Sequence, residues 1–195
     1  NYSPAAPSLL LIGCNGHSNE IIKRYYSGPV ANIPVGIGLG LYKKDEIGEK
    51  AHENIILFVA RFVCWKGLDM AVDVLTEARK YRENLKMICI GQGPLKKYYI
   101  DKYKDIEELT FITDLNYEDV AEYYKKAGVL LATTQYETFG INIIEAMAAG
   151  LPIVASDLDV FHDRLANNVN CYLVSGGRKD IFVTKVLDLL NNKNT

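Results

Sequence analysis

The stretch NIILFVARFVCWKGLDMAVDVLTEARKYRENLKMICIGQGP, residues 54–94, decides how the rest of the chain is read. Six of its first seven residues are apolar and three of them are β-branched, which suits a buried strand. GLDMAVDVLTEARKYRE (67–83) then places Leu68, Val72, Leu75 and Ala78 at helical spacing. LKMICIG (85–91) is a second short apolar run that breaks at the turn GQGP. Strand, helix and strand at these lengths make a βαβ unit, whose two strands are parallel.

The same rhythm continues to the C-terminus. A polar helix is expected over 94–104 with Pro94 near its first turn, and a strand at LTFIT (109–113). NYEDVAEYYKKAG (116–128) reads as a helix with Asn116 as N-cap and Gly128 as its stop. VLLAT (129–133), LPIVAS (151–156) and NCYLV (170–174) complete the strands, separated by a helix after TTQYETFG and a weak one over 159–167. A last helix is expected over 178–192. Six near-continuous apolar strands alternating with helices predict an α/β fold: a doubly wound, Rossmann-like parallel sheet covered on both faces, spanning 54–192.

Residues 1–53 break the rhythm. SLLLIG and SNEIIKRYY suggest one strand and one helix capped by Ser18 or Asn19. One βα unit cannot bury its own faces, so 1–28 is expected to be the end of a preceding domain. Residues 29–53 are rich in Gly and Pro and then charged, and are expected to be a linker with at most one strand; 193–195 form a polar tail. The first residue is Asn1 rather than Met, so a piece of a longer protein is expected. GIGLG (36–40) has no helix after it and is not a dinucleotide fingerprint.

About half of the 195 residues are hydrophobic, a quarter are charged, and the formal net charge is −2. Nothing in that balance favours nucleic acid or an anionic membrane. No apolar run is long enough for a spanning helix, and no secretory signal is visible. Cys14, Cys64, Cys89 and Cys171 have no zinc-site spacing, and reduced thiols in a cytoplasmic protein are expected.

An open parallel sheet binds ligands outside the carboxyl ends of its strands. The loop after the first strand supplies Arg61 and Lys66, which are either surface charges or a clamp on an anion such as a diphosphate. The loop after the fourth strand leads into a helix whose N–H groups near Phe139, Gly140 and Ile141 would face the same edge. Gly140 would let a phosphate approach the backbone. Glu137 before this helix and Glu145 inside it would sit roughly 10 Å apart by helical rise. That exceeds the usual spacing of about 5–9.5 Å between paired glycosidase carboxylates. It suits two grips on one ligand, with a phosphate between them. Alternatively, Glu137 only stabilises the helix start and Glu145 is an exposed mid-helix acid. Asp157, Asp159 and His162 could hold Mg²⁺ or Mn²⁺, or could simply cap and solvate a weak helix. His17 and His52 have no partners in the sequence, and no nucleophile triad is present.

ARFVCWKG, GQGP, TFITDL and above all TTQYETFGINIIEAMAAGLPIVAS resemble the donor-binding half of retaining glycosyltransferases with the GT-B fold. This is the large group with a Glu-x7-Glu motif that includes mannosyltransferases, glycogen and sucrose synthases and lipopolysaccharide glucosyltransferases. The resemblance covers about 55–190, and IPVGIGLGLY is more weakly similar to the family's interdomain linker. It implies a hexose donor such as GDP-mannose or a UDP-hexose, and a glycan, lipid or other hydroxyl acceptor bound through a missing N-terminal domain. Arg61 and Lys66 would bind the diphosphate and stabilise the leaving group. Glu137, with Thr138 beside it and the N–H groups of Phe139, Gly140 and Ile141, would contact the sugar or phosphate. Glu145 would hold the ribose, and Thr113–Leu115 would lie near the base. No metal and no other cofactor is implied, and peripheral membrane contact of the full protein is common among members.

The chain departs from the family pattern at Ala60, Trp65, Thr133-Thr134 and LDVFHD, where the family usually has Gly, Glu, Pro-Ser and Gly-Gly. The last departure would alter phosphate contacts. The expectation is that this chain alone binds donor weakly and transfers no sugar. A non-catalytic nucleotide-binding module and a sugar-nucleotide epimerase are the alternatives.

Overall fold

The computed structural model describes residues 10–14, 16–43 and 52–191, with the backbone alone at His17, His52 and Glu53. The side chains of those two histidines, most of the charged end of the expected linker and the polar tail therefore lie outside the described residues.

Six parallel strands form the main sheet: β3 (His52–Val59), β4 (Lys86–Ile90), β5 (Leu109–Ile112), β6 (Ala127–Ala132), β7 (Ile153–Ser156) and β8 (Tyr172–Val174). Their spatial order is β5-β4-β3-β6-β7-β8. The chain winds outward from β3 in one direction, then returns and winds outward from β6 in the other. With crossovers of one hand, that reversal puts the connecting helices on opposite faces. Accordingly α3 (Leu68–Ala78) and α7 (Lys179–Asn191) pack on one face with Ile56, Phe58, Val129 and Leu131. On the other face, α5 (Tyr117–Lys126) and α6 (Ile141–Ala148) pack with Leu57, Leu130 and Ile153. Successive residues Ile56, Leu57 and Phe58 go to alternate cores, as the two-residue period of a strand requires. α4 (Lys96–Tyr103) covers the sheet beside β4 and β5 through Tyr99, which packs edge-on against Phe62.

Before this sheet, β1 (Leu11–Gly13) pairs in parallel with β2 (Val30–Asn32), with α1 (Gly16–Tyr25) between them. The stretch expected to be a linker thus contributes a paired strand and a one-turn helix, α2 (Leu39–Tyr42). That helix begins inside GIGLG, which was expected to lead into none. Ser18 and Asn19 lie inside α1 rather than capping it, and the Ser18 hydroxyl accepts from the Cys14 N–H at 3.0 Å.

Asn116 caps α5 as expected, accepting from the Asp119 N–H at 2.7 Å. Gly128 does not stop that helix: the chain turns into β6 at Ala127, and Gly128 is a strand residue. The helix expected over 159–167 is only a 3-10 turn at Asp159–Phe161, because Val160 and Phe161 are pulled into the core. All four cysteines are free, and burial pushes the Cys89 thiol well up. Among the described residues no helix is long and apolar enough to cross a membrane.

Gly67 ends the turn after β3 at φ 74°, and a Cβ there would lie 2.1 Å from the Thr133 carbonyl oxygen. Gly67→Ala is therefore expected to cost at least about 2 kcal/mol, from a left-handed backbone plus a clash with backbone that cannot move aside. Urea unfolding monitored by circular dichroism measures it.

Candidate functional site

The winding reverses between β3 and β6, which leaves a crevice at their carboxyl ends. A cleft of about 940 Å³ opens there. Its lining brings together Arg61, Lys66, Leu115, Glu137, Thr138, Phe139, Gly140, Ile141 and Glu145, and of the loop expected near the base it includes Asp114 and Leu115 but not Thr113. Asp157, Asp159 and His162 do not line it.

Lys66 and Glu137 are 71 residues apart, yet Lys66 Nζ donates to Glu137 Oε2 at 2.5 Å. Two threonines bring their loops together. Thr133 Oγ1 donates to the Gly67 carbonyl at 2.7 Å, and the single Thr134 hydroxyl proton is shared between the Tyr136 carbonyl of its own loop at 2.8 Å and the Trp65 carbonyl at 3.1 Å. The Gln135 N–H also donates to the Trp65 carbonyl, at 2.7 Å. These two threonines stand where the resembling family usually has Pro-Ser, and neither proline nor its ring could supply the first of these bonds.

The other Glu137 oxygen accepts from the Thr138 N–H at 2.9 Å and, at 3.5 Å, from the Phe139 N–H. The expectation of open N–H groups is thus corrected at Phe139. It holds for Gly140 and Ile141, and extends to Asn142: none of these three has an N–H partner among the described residues. Asn142 joins the site by donating from Nδ2 to the Val59 carbonyl at 3.1 Å, which pins α6 to the end of β3. Gly140 has φ 80°, and a Cβ there would meet the Phe161 ring at 2.6 Å. The glycine is required by its own backbone and by the packing below it, whatever approaches from the cleft. Arg164 lies 4.5 Å above the Phe139 ring and helps hold this corner. Arg61 is exposed, and its guanidinium has no partner among the described residues.

Glu145 is not an exposed acid: it is 5% exposed. Its Oε1 accepts from the Tyr42 hydroxyl at 2.9 Å and its Oε2 from the Tyr124 hydroxyl at 2.6 Å. Tyr42 and Tyr124 went unnoticed in the sequence. Tyr124 sits among ordinary surface-helix residues, and Tyr42 lies in a stretch that reads as linker. Burial first, then the Tyr117 hydroxyl and Glu145, push the Tyr42 phenol up; burial and the Glu145 charge push Tyr124 well up.

At the far end of the cleft, Asp114 sits beside Leu115 at φ 65°. It accepts from Gln92, from Lys96 at 3.2 Å and from the Thr113 hydroxyl at 2.9 Å. The Thr113 hydroxyl, Lys96 and Gln92 together hold its carboxyl below the usual range. After β7, Asp157 accepts from Ser175 Oγ and contacts His162 Nε2, both at 2.6 Å. Among the described residues no group of three or more His, Cys, Asp or Glu side chains is placed to hold a metal ion.

The profile of the glycosyl transferases group 1 family matches residues 42–195, and the chain belongs to that family. It is similar to alpha-monoglucosyldiacylglycerol synthase of Acholeplasma laidlawii, with 30% identity over 190 residues covering 89% of this chain and 45% of the relative. The structure of TarM superposes with a TM-score of 0.80 at 21% identity, over 93% of this chain and 36% of TarM. Anabaena HepE in complex with UDP and glucose gives 0.78 at 17% identity, over 94% and 54%. Such likenesses establish the fold as one half of a GT-B structure. The chain spans less than half the length of the curated relative.

A phenol held protonated in the folded state stabilises the fold below its unfolded value of about 10 and loses that effect as pH rises from there. Above that value the unfolded chain releases protons that folded Tyr42 and Tyr124 retain. Stability is thus expected to fall above about pH 10, by up to about 1.4 kcal/mol per pH unit for each phenol. Urea midpoints at pH 8, 10 and 11 measure the slope, which should flatten in Tyr124→Phe.

Proposed function

We propose that this chain is the donor-binding half of a retaining glycosyltransferase that moves a hexose from a nucleotide sugar to a hydroxyl acceptor. One observation carries the reading. Arg61, Lys66 and the unpartnered N–H groups at the start of α6 converge on one crevice, with carboxylates at Glu137 and Glu145 along it. Two cations and a helix N-terminus suit a diphosphate. Carboxylates accept from hydroxyls, so Glu137 faces the transferred sugar and Glu145 the ribose. Leu115 and its neighbours would lie against the base.

In the structure Lys66 is satisfied by Glu137. A diphosphate carries more charge than one carboxylate and draws Lys66 toward it, which frees Glu137 Oε2 for a sugar hydroxyl. As the bond from the anomeric carbon to the diphosphate breaks, negative charge grows on the leaving oxygen. Arg61, Lys66 and the α6 N–H groups stabilise that charge, so the reading includes no metal. The reading takes in either a UDP-hexose or GDP-mannose as the donor: HepE was solved with UDP and glucose, and another similar protein is a phosphatidyl-myo-inositol mannosyltransferase. Cytoplasmic action, with the complete protein resting against a membrane surface, belongs to the same proposal.

Calorimetric titration of the chain with UDP-, GDP- and ADP-sugars is the test. One of them is expected to bind, and Lys66→Ala and Arg61→Ala should each weaken it by about tenfold or more while leaving the affinity for the bare nucleoside unchanged. Added salt should weaken it as well. Equal binding by the native chain and both variants would remove the diphosphate site, and with it the proposed function.

A further inference from the structure

Glu145 lines the cleft, yet both of its oxygens already accept a phenol from behind. One phenol, Tyr124, comes from α5 of the sheet domain. The other, Tyr42, comes from α2, ahead of the first strand of the main sheet and 103 residues from Glu145. Tyr42 is fully buried and packs edge-on against Tyr124, with ring centroids 5.7 Å apart, and against Tyr117 at 6.1 Å.

A purely structural contact between α2 and α6 would be made more cheaply by apolar side chains, because taking a carboxylate out of water is costly. The arrangement has a different consequence. A single hydrogen bond would let the carboxyl plane swing about it. One on each oxygen fixes the plane. A carboxylate has about four acceptor positions, so the two phenols behind it leave two on the cleft side, where the Tyr117 hydroxyl stands close enough to act on Glu145 until a ligand hydroxyl displaces it. Two adjacent acceptors in a fixed plane match the two hydroxyls of a vicinal diol.

We propose that Tyr42 is a positioning residue for a ribose: with Tyr124 it fixes the Glu145 carboxylate so that its two remaining acceptor positions meet the 2′- and 3′-hydroxyls of a nucleotide in the cleft. Recognition of the ribose then depends on a residue outside the sheet domain, and a shift of the segment before β3 is felt directly at the nucleotide. This rests on the nucleotide-binding reading above.

The test compares a nucleoside diphosphate with its 2′,3′-dideoxy form, by calorimetry on the 195-residue chain. UDP, GDP and ADP are tried first to choose the base. The native chain should prefer the diol-bearing nucleotide by about tenfold or more, and Tyr42→Phe and Tyr124→Phe should each bring this below about threefold. Affinity for the dideoxy form should not change in either variant, which also shows that each is folded. Glu145→Gln should abolish the preference. A Tyr42→Phe chain that loses affinity for both nucleotides alike makes Tyr42 a structural strut and overturns the inference, as does an undiminished preference in Glu145→Gln. If none of the three diphosphates binds the native chain, the nucleotide-binding reading itself falls and takes this inference with it.

Discussion

The hydrogen bond from Thr133 Oγ1 to the Gly67 carbonyl, 2.7 Å long, joins the two halves of the winding at the point where they diverge. A parallel sheet provides ladder bonds along its strands but none between the loops that leave them. Without a separate tie, the turn after β3 and the loop after β6 would each be free to drift. The close approach at Gly67 and the donors at Thr134 and Gln135 complete the tie. Lys66 and Glu137 meet because one loop is held at Trp65 and Gly67, on either side of Lys66, and the other at Thr133 to Gln135, just before Glu137. The position of α6 follows from the same constraint, since Asn142 fastens its first turn to the end of β3.

The second organising feature is polar and buried. Glu145 belongs to a helix otherwise occupied by Ile, Ala and Met, and it is accommodated because two tyrosines satisfy its oxygens. Burying such a group without partners would cost several kcal/mol, roughly what many single domains can spare. These two tyrosines belong to the core, and the carboxylate they hold lines the cleft. Phe161 does similar double service under Gly140: it fills the core, and it leaves space for nothing larger than glycine at the helix start.

Much of the fold was legible in the residues. Each of the six expected strands is present because a strand buried on both faces must be apolar throughout, and such runs are hard to mistake. Asn116 was legible as a cap because its side chain acts within its own turn. Errors arose where a local signal competed with a distant one. Gly128 carries the mark of a helix end, yet β6 begins before it because Ala127 is already drawn into the core. Residues 159–167 have a helical pattern that gives way to the burial of Phe161. The paired strand β2 and the short helix α2 are hidden in a Gly-rich stretch, whose local chemistry says only that the chain can bend.

By itself the sequence determined the class of sheet, the loops that meet at the cleft, and the residue types found there, two cations, a helix start and two carboxylates, because each is a matter of local pattern. The order of the strands, the pairing of Lys66 with Glu137, and the closure of Tyr42 and Tyr124 on Glu145 were decided only in the tertiary structure. They depend on groups between 21 and 103 residues apart. No local periodicity encodes which distant side chain will reach a buried carboxylate. That is settled when the sheet assembles and each polar group left inside must find a partner.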